Sequence, residues 1–176
     1  MSFEIDISNS QRFVPVDIDV LRHAIECTLE IEQVAAAVLS VSIVDNDAIH
    51  AINRQHLQHD YPTDVISFQL EFGFGDSPFD EQENGCADSL RAAGAKIEGE
   101  IVASAQMASD MASTGQWTIM NELTLYVIHG LLHICGYDDL SPEDKSLMRS
   151  HERAVLQNLG LKPVYPDDTW SGSTRC

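Results

Sequence analysis

Positive charge is what this sequence has least of. Ten Lys and Arg face 28 Asp and Glu over 176 residues, a formal net charge of −18. A surface of that sign repels phosphodiester backbones, which argues against broad, nonspecific nucleic-acid binding. It leaves room for a local positive cleft, because a bound divalent cation adds charge that a count of side chains omits. Long apolar runs are missing too: nothing approaches the roughly 18 consecutive apolar residues that a membrane span needs. The opening Met-Ser-Phe-Glu-Ile-Asp has no basic segment leading into an apolar one. No signal peptide is therefore expected, and the cytoplasm is the expected compartment. The four cysteines (Cys27, Cys86, Cys135, Cys176) form no Cys-x-x-Cys pair. Reduced thiols are expected, with Cys27 and Cys135 read as buried small hydrophobes.

What is present is the material of one compact domain: 44% hydrophobic and 22% charged residues in a chain long enough for a single core. Phe3, Ile5 and Ile7 alternate with Glu4, Asp6 and Ser8 as in a half-buried strand. Val20, Leu21, Ala24, Ile25, Thr28 and Leu29 repeat at helical spacing between Asp17 and about Glu32. Residues 36–44 read as a second strand, and 45–58 as a helix capped by Asp45 or Asn46. Tyr61-Pro-Thr-Asp64 is turn chemistry before a third strand at 65–70. Between 71 and 97 glycines and acids replace any lasting period, which predicts a mobile acidic insertion with a short helix near 87–93. A fourth strand at 98–104 precedes helices at about 105–114, 119–135 and 142–159. Ser141-Pro142-Glu143-Asp144 opens the last of these as N-cap, first-turn Pro and capping box. The expectation is an α+β fold: one domain over residues 1–160, a small mixed sheet of about four strands packed by about five helices, and a loose tail over 161–176.

The chemistry concentrates in His129-Gly-Leu-Leu-His133-Ile-Cys-Gly136-Tyr-Asp-Asp139. Two histidines four residues apart on a helix share one face, where both imidazoles can chelate one ion. Two such histidines are also often mere neighbours, so the spacing alone does not decide. Gly136 permits the left-handed turn that closes a helix and lets the chain double back. Asp139 is then placed to be a third ligand, with Asp138 the second choice. Three ligands and no thiolate in register describe a catalytic zinc site rather than a structural one. In His-Glu-x-x-His metallopeptidases the residue after the first His is the general base. Here it is Gly130, which cannot take a proton.

These residues resemble the YbeY family of bacterial rRNA maturation factors, metal-dependent single-strand endoribonucleases. The family signature His-Gly-x-Leu-His-x-x-Gly-Tyr-Asp-His is matched by residues 129–138 at each specified position. Ile52-Asn53, followed by Thr63-Asp64-Val65-Ile-Ser67-Phe68, is similar to a second family block. Gly99-Glu100-Ile101, Glu122-Leu123, and Met148 with Glu152 are weaker echoes, and the resemblance runs from about residue 45 to 160. It implies a zinc-dependent endoribonuclease acting on single-stranded or ribosomal RNA, with roles in rRNA maturation and ribosome biogenesis and with small-subunit particles as partners. It also implies one Zn²⁺ held by His129, His133 and Asp139, through which these residues act in catalysis. Two positions depart from the pattern. Asp139 stands where the family has a third His, and a carboxylate tolerates other divalent ions as well. Leu57 stands where the family has a functional Arg, which leaves Arg54, one turn earlier, as the candidate phosphate contact. Two other readings stay open: a zinc metallopeptidase-like hydrolase, and a ribosome-assembly binding protein with a structural metal and reduced nuclease activity.

Overall fold

The computed structural model describes residues 1–74, 90–115, 117–163 and 165. In chain order they form β1 (Ser2–Asn9), α1 (Ile18–Ile31), β2 (Ala36–Val44), α2 (Asn46–Ile52), a π-helical turn (Asn53–Leu57), β3 (Val65–Phe74), β4 (Ala95–Ser104), α3 (Ala105–Gly115), α4 (Ile119–Ile134) and α5 (Pro142–Asn158). The result is the expected α+β domain, a four-stranded mixed sheet with five helices. Strand order is β1-β2-β4-β3, with β1, β2 and β4 parallel and β3 antiparallel on the edge. No helix among the described residues is long and apolar enough to cross a membrane.

Side-chain alternation divides the sheet. Ala37, Leu39, Val41 and Ile43 of β2 join Ala95, Ile97, Ile101 and Ala103 of β4 in the main core. Leu21, Ile25 and Leu29 of α1, and Met148, Val155 and Leu156 of α5, belong to the same cluster. Each of the Val, Leu, Ile and Met side chains among them contributes about 1.5–3 kcal/mol by leaving water. On the other face Val44, Ile66 and Val102 take Ile49 of α2.

Helix α4 is the centre of the domain. Thr118 caps it, its side chain accepting from the Asn121 N–H, and burial extends around it from Leu123 to Ile134. It lies close on the β3–β4 pair because small residues let it. A Cβ on Gly130 would stand 3.0 Å from Val65 Cγ2 and 3.2 Å from Ile101 Cγ2. One on Gly99 of β4 would stand 2.8 Å from the Phe68 carbonyl oxygen and 2.7 Å from Ile134 Cδ1. Gln69 completes the junction, its side-chain amide donating to the Ile134 carbonyl at 2.7 Å.

Three expectations change. Strands β3 and β4 reach to Phe74 and back to Ala95, so pairing continues into both ends of the stretch read as an insertion. Phe72 opposite Ile97 supplies the apolar contact that a composition count passes over. The short helix expected near 87–93 lies partly outside the described residues, and 91–94 form a turn. The helix expected over 45–58 turns π-helical at Asn53, whose side chain donates to the Tyr61 carbonyl at 2.8 Å. It ends at Gln58, left-handed at φ 59°.

Candidate metal centre

The last two turns of α4 carry His129 and His133, and the turn that closes the helix fixes the second ring. Gly136 has φ +91°, a conformation that costs any L side chain. Its N–H donates to the His133 carbonyl at 2.9 Å, and the Tyr137 N–H donates to the Leu132 carbonyl at 3.1 Å. That pair of bonds is a Schellman motif. It turns the chain so that the Tyr137 carbonyl accepts from His133 Nδ1 at 3.0 Å. The glycine thus closes the helix and sets the tautomer of the second histidine.

A different element fixes the first. Glu152, on α5 and 4% exposed, accepts from His129 Nδ1 at 2.6 Å through Oε1. Its other oxygen accepts from the Tyr165 hydroxyl at 2.5 Å. Each imidazole therefore spends Nδ1 on an oxygen and turns Nε2 to a common point. The two Nε2 atoms are 3.0 Å apart. Asp139 Oδ2 is 3.8 Å from Nε2 of His129, and Oδ1 is 3.9 Å from Nε2 of His133. Asp138 goes elsewhere, its carboxylate accepting the Asp139 N–H at 2.8 Å.

Two basic nitrogens and a carboxylate, with ligand atoms all within 4.8 Å of one another, form a cluster that can hold a cation. The donor set fits a borderline-soft divalent ion: two neutral imidazoles presented by Nε2, each braced through Nδ1 by an oxygen acceptor, and one half-exposed carboxylate. The carbonyl end of α4 adds negative potential at the same place. The two rings sit in different electrostatic surroundings, and their pKa directions are opposed. Burial pulls His129 down, but the hydrogen bond and charge of Glu152 outweigh it and the net shift is upward. His133 is shifted down, by burial and then by the charge of His129.

A second buried network supports the loop from beneath. The Tyr137 hydroxyl donates to Glu32 at 2.7 Å, and His151 Nδ1 donates to the other oxygen of Glu32 at 2.7 Å. Arg91 donates to the Gly136 carbonyl at 2.6 Å and lies over the Tyr137 ring at 5.3 Å. Cys135 is fully buried, and burial pushes its thiol pKa well up, so it behaves as a core hydrophobe.

The cluster opens on a cleft of about 340 Å³ lined by Asp64, Glu122, Tyr126, Lys145, Met148 and Arg149, among others. Asp64 arrives there from the turn before β3, where its Oδ1 accepts from the Val65 N–H at 2.8 Å and the Thr63 hydroxyl at 2.9 Å. The structure thus brings His129, His133 and Asp139 together. Arg54 stands exposed on the π-helical turn and is not among the cleft-lining residues. His50 pairs with Asp60 at 2.8 Å, while His56 and His59 are exposed.

Two residues had weak sequence signals. Glu152 follows Met148 by four on the apolar face of α5, so an acid at a buried position was the available clue. Tyr165 falls in the stretch expected to be loose, yet it is 7% exposed. A buried aromatic there follows from its hydroxyl bond to Glu152, which no local pattern announces.

Comparison with known proteins agrees in family and in fold, and reaches further toward the N-terminus than the resemblance over about 45–160. Residues 6–160 match the family described as Endoribonuclease YbeY. Endoribonuclease YbeY of Rhodopirellula baltica is 40% identical over 132 residues, 74% of this chain and 58% of that protein. The namesake from Carboxydothermus hydrogenoformans is 32% identical over 160 residues, covering 89% of this chain and 98% of the relative. That from Bacillus licheniformis is 32% identical over 163 residues, covering 92% and 98%. A solution structure of a Thermotoga maritima protein shares the fold at TM-score 0.53 and 23% identity, covering 97% of this chain and 99% of its own. This chain belongs to the endoribonuclease YbeY family, a family of RNA-hydrolysing enzymes.

Proposed function

We propose that this protein is a metal-dependent endoribonuclease that cuts single-stranded RNA during maturation of ribosomal RNA. One Zn²⁺ held by His129, His133 and Asp139 is the cofactor in this reading. The observation that carries it is the convergence of two Nδ1-braced imidazoles and a carboxylate on one point at the mouth of a cleft. A bound divalent ion supplies Lewis acidity toward a phosphoryl oxygen and positive charge in an otherwise acidic cleft.

The chain's own groups do the rest. Glu152 and the Tyr137 carbonyl keep the imidazole donors in one tautomer, so no reorganisation is needed when substrate arrives. Hydrolysis of a phosphodiester requires a proton acceptor for the attacking water. Asp64 is assigned that part, because it lines the same cleft outside the cluster and two hydrogen bonds fix its carboxylate. Arg54, exposed and outside the cleft lining, is assigned an outlying phosphate contact.

The metallopeptidase reading lacks its base. Gly130 occupies that position because the sheet leaves only 3.0–3.2 Å for a Cβ there. The binding-protein reading differs in outcome rather than in site. Incubating the zinc-loaded chain with unstructured and duplex RNA separates them. Cleavage of the unstructured RNA alone, abolished by a chelator and restored by zinc, is the expected result. Intact RNA with stoichiometric zinc bound would favour the assembly-factor reading, and cleavage of peptides instead would favour the hydrolase one.

A further inference from the structure

The endoribonuclease reading leaves a physical problem: a chain of net charge −18 must hold a polyanion. Three of its ten Lys and Arg lie on one face of one helix. Lys145, Arg149 and Arg153 are four residues apart in succession along α5, so their stems rise about 6 Å at each step. That helix also carries Glu152, the brace of His129.

Two hollows meet along this face. The cleft at the metal cluster includes Lys145 and Arg149 in its wall. A neighbouring hollow of about 300 Å³ is lined by Pro142, Lys145, Ser146, Arg149 and Arg153. Sharing Lys145 and Arg149, they make one path from His129 and Asp139 outward along α5. The two guanidinium groups are also ordered: Arg149 lies 4.8 Å and Arg153 4.9 Å from the centre of the buried Tyr165 ring. That ring is tied to the metal cluster, since its hydroxyl donates to Glu152. The cations are thus held at a set distance from the reacting centre. The cleft lining also carries Asp64 and Glu122, which repel phosphate, whereas Lys145 and Arg149 of α5 attract it.

We infer that the Lys145–Arg149–Arg153 face of α5 is the track for the RNA backbone next to the scissile phosphate, gripping successive phosphates without reading base sequence. This rests on the endoribonuclease reading for the identity of the polyanion. Phosphate contacts of this kind position a strand rather than specify it.

The test is binding of a labelled oligouridine to the zinc-loaded full chain over a salt series, at a temperature too low for turnover, followed by fluorescence anisotropy. On single strands each neutralised phosphate contributes about 0.7 to the slope of log affinity against log salt. Lys145→Gln should therefore lower the slope by about 0.7 and the affinity about fivefold near 0.1 M salt. The triple variant with Arg149→Gln and Arg153→Gln should lower the slope by about 2. The paired variant Arg149→Lys and Arg153→Lys keeps the charge and removes the planar stacking on Tyr165. It should retain the wild-type slope, whereas a role confined to packing the tail would weaken it as much as the Gln changes. Thermal melts of each variant establish that it is folded.

Unchanged affinity and slope in the Lys145 and triple variants would overturn the track. So would equal competition by polyglutamate, which would make the stripe a general anion patch. RNA cleavage by the wild type, measured separately, judges the enzymatic reading whichever way the track is decided.

Discussion

The carboxylate of Glu152 is the point at which the site is most open to a small, shape-preserving change. Glu152→Gln keeps the volume and the buried position but replaces one acceptor oxygen by a donor NH₂. Both present partners are donors: His129 Nδ1–H at 2.6 Å and the Tyr165 hydroxyl at 2.5 Å. A glutamine can accept from only one of them. If its oxygen stays on Tyr165, the NH₂ faces His129 and favours the tautomer with a proton on Nε2, which removes that nitrogen from the metal. If its oxygen stays on His129, a buried hydroxyl loses its acceptor and the imidazole loses the charge that raises its basicity. Loss of such an outer partner weakens metal binding about 10- to 100-fold, which is about 1.4–2.7 kcal/mol. The assay is zinc affinity by competition with a chromophoric chelator, wild type beside variant, with a thermal melt of each metal-free protein as the control for folding. A folded Glu152→Gln protein that binds zinc as tightly as wild type would refute the reasoning, because His129 would then not depend on its brace.

The same geometry gives two further expected outcomes. Gly136→Ala forces a Cβ into φ +91° at the Schellman turn and should cost about 1–2 kcal/mol of stability. It should also shift the Tyr137 carbonyl from His133, so a lower Tm is expected together with weaker zinc binding. In the metal-free protein, ring-nitrogen NMR should show His129 holding its proton above the ordinary value of 6.5 and His133 releasing its proton below it. The linkage signs are opposite. His129 contributes stability that is fully present below the ordinary histidine range and lost as pH rises through its folded pKa. His133 contributes stability present above that range and lost as pH falls. Identical titration of both rings would contradict the opposed surroundings of His129 and His133.

The sequence made the architecture readable because local and tertiary preferences agree in most elements. The strict alternation of β1 and the Ser141-Pro142 cap of α5 each say by themselves what the fold then does. The ends of β3 and β4 were harder to read, since glycines and acids dominate there and strand character comes from cross-strand pairing of Phe72 and Ile97. The histidine pair was legible from a spacing of four. Asp139 rather than Asp138 was legible only as a preference, and the hydrogen bond of Asp138 to the next backbone N–H gives the physical reason. Glu32 and Tyr165 were not legible. One is a fully buried carboxylate whose partners lie more than a hundred residues away, and the other is an aromatic in a polar tail. Separation by more than a hundred residues carries no period, so only the folded chain reveals the partners of Glu32.

Metal content and RNA cleavage should be determined together on purified wild type, His133→Ala and Asp139→Ala. About one zinc per wild-type chain is predicted, with zinc and cleavage of single-stranded RNA lost in parallel in both variants. Unchanged metal content in both variants, or cleavage that persists after the metal is gone, would contradict the assignment of the His129–His133–Asp139 cluster as the seat of the chemistry.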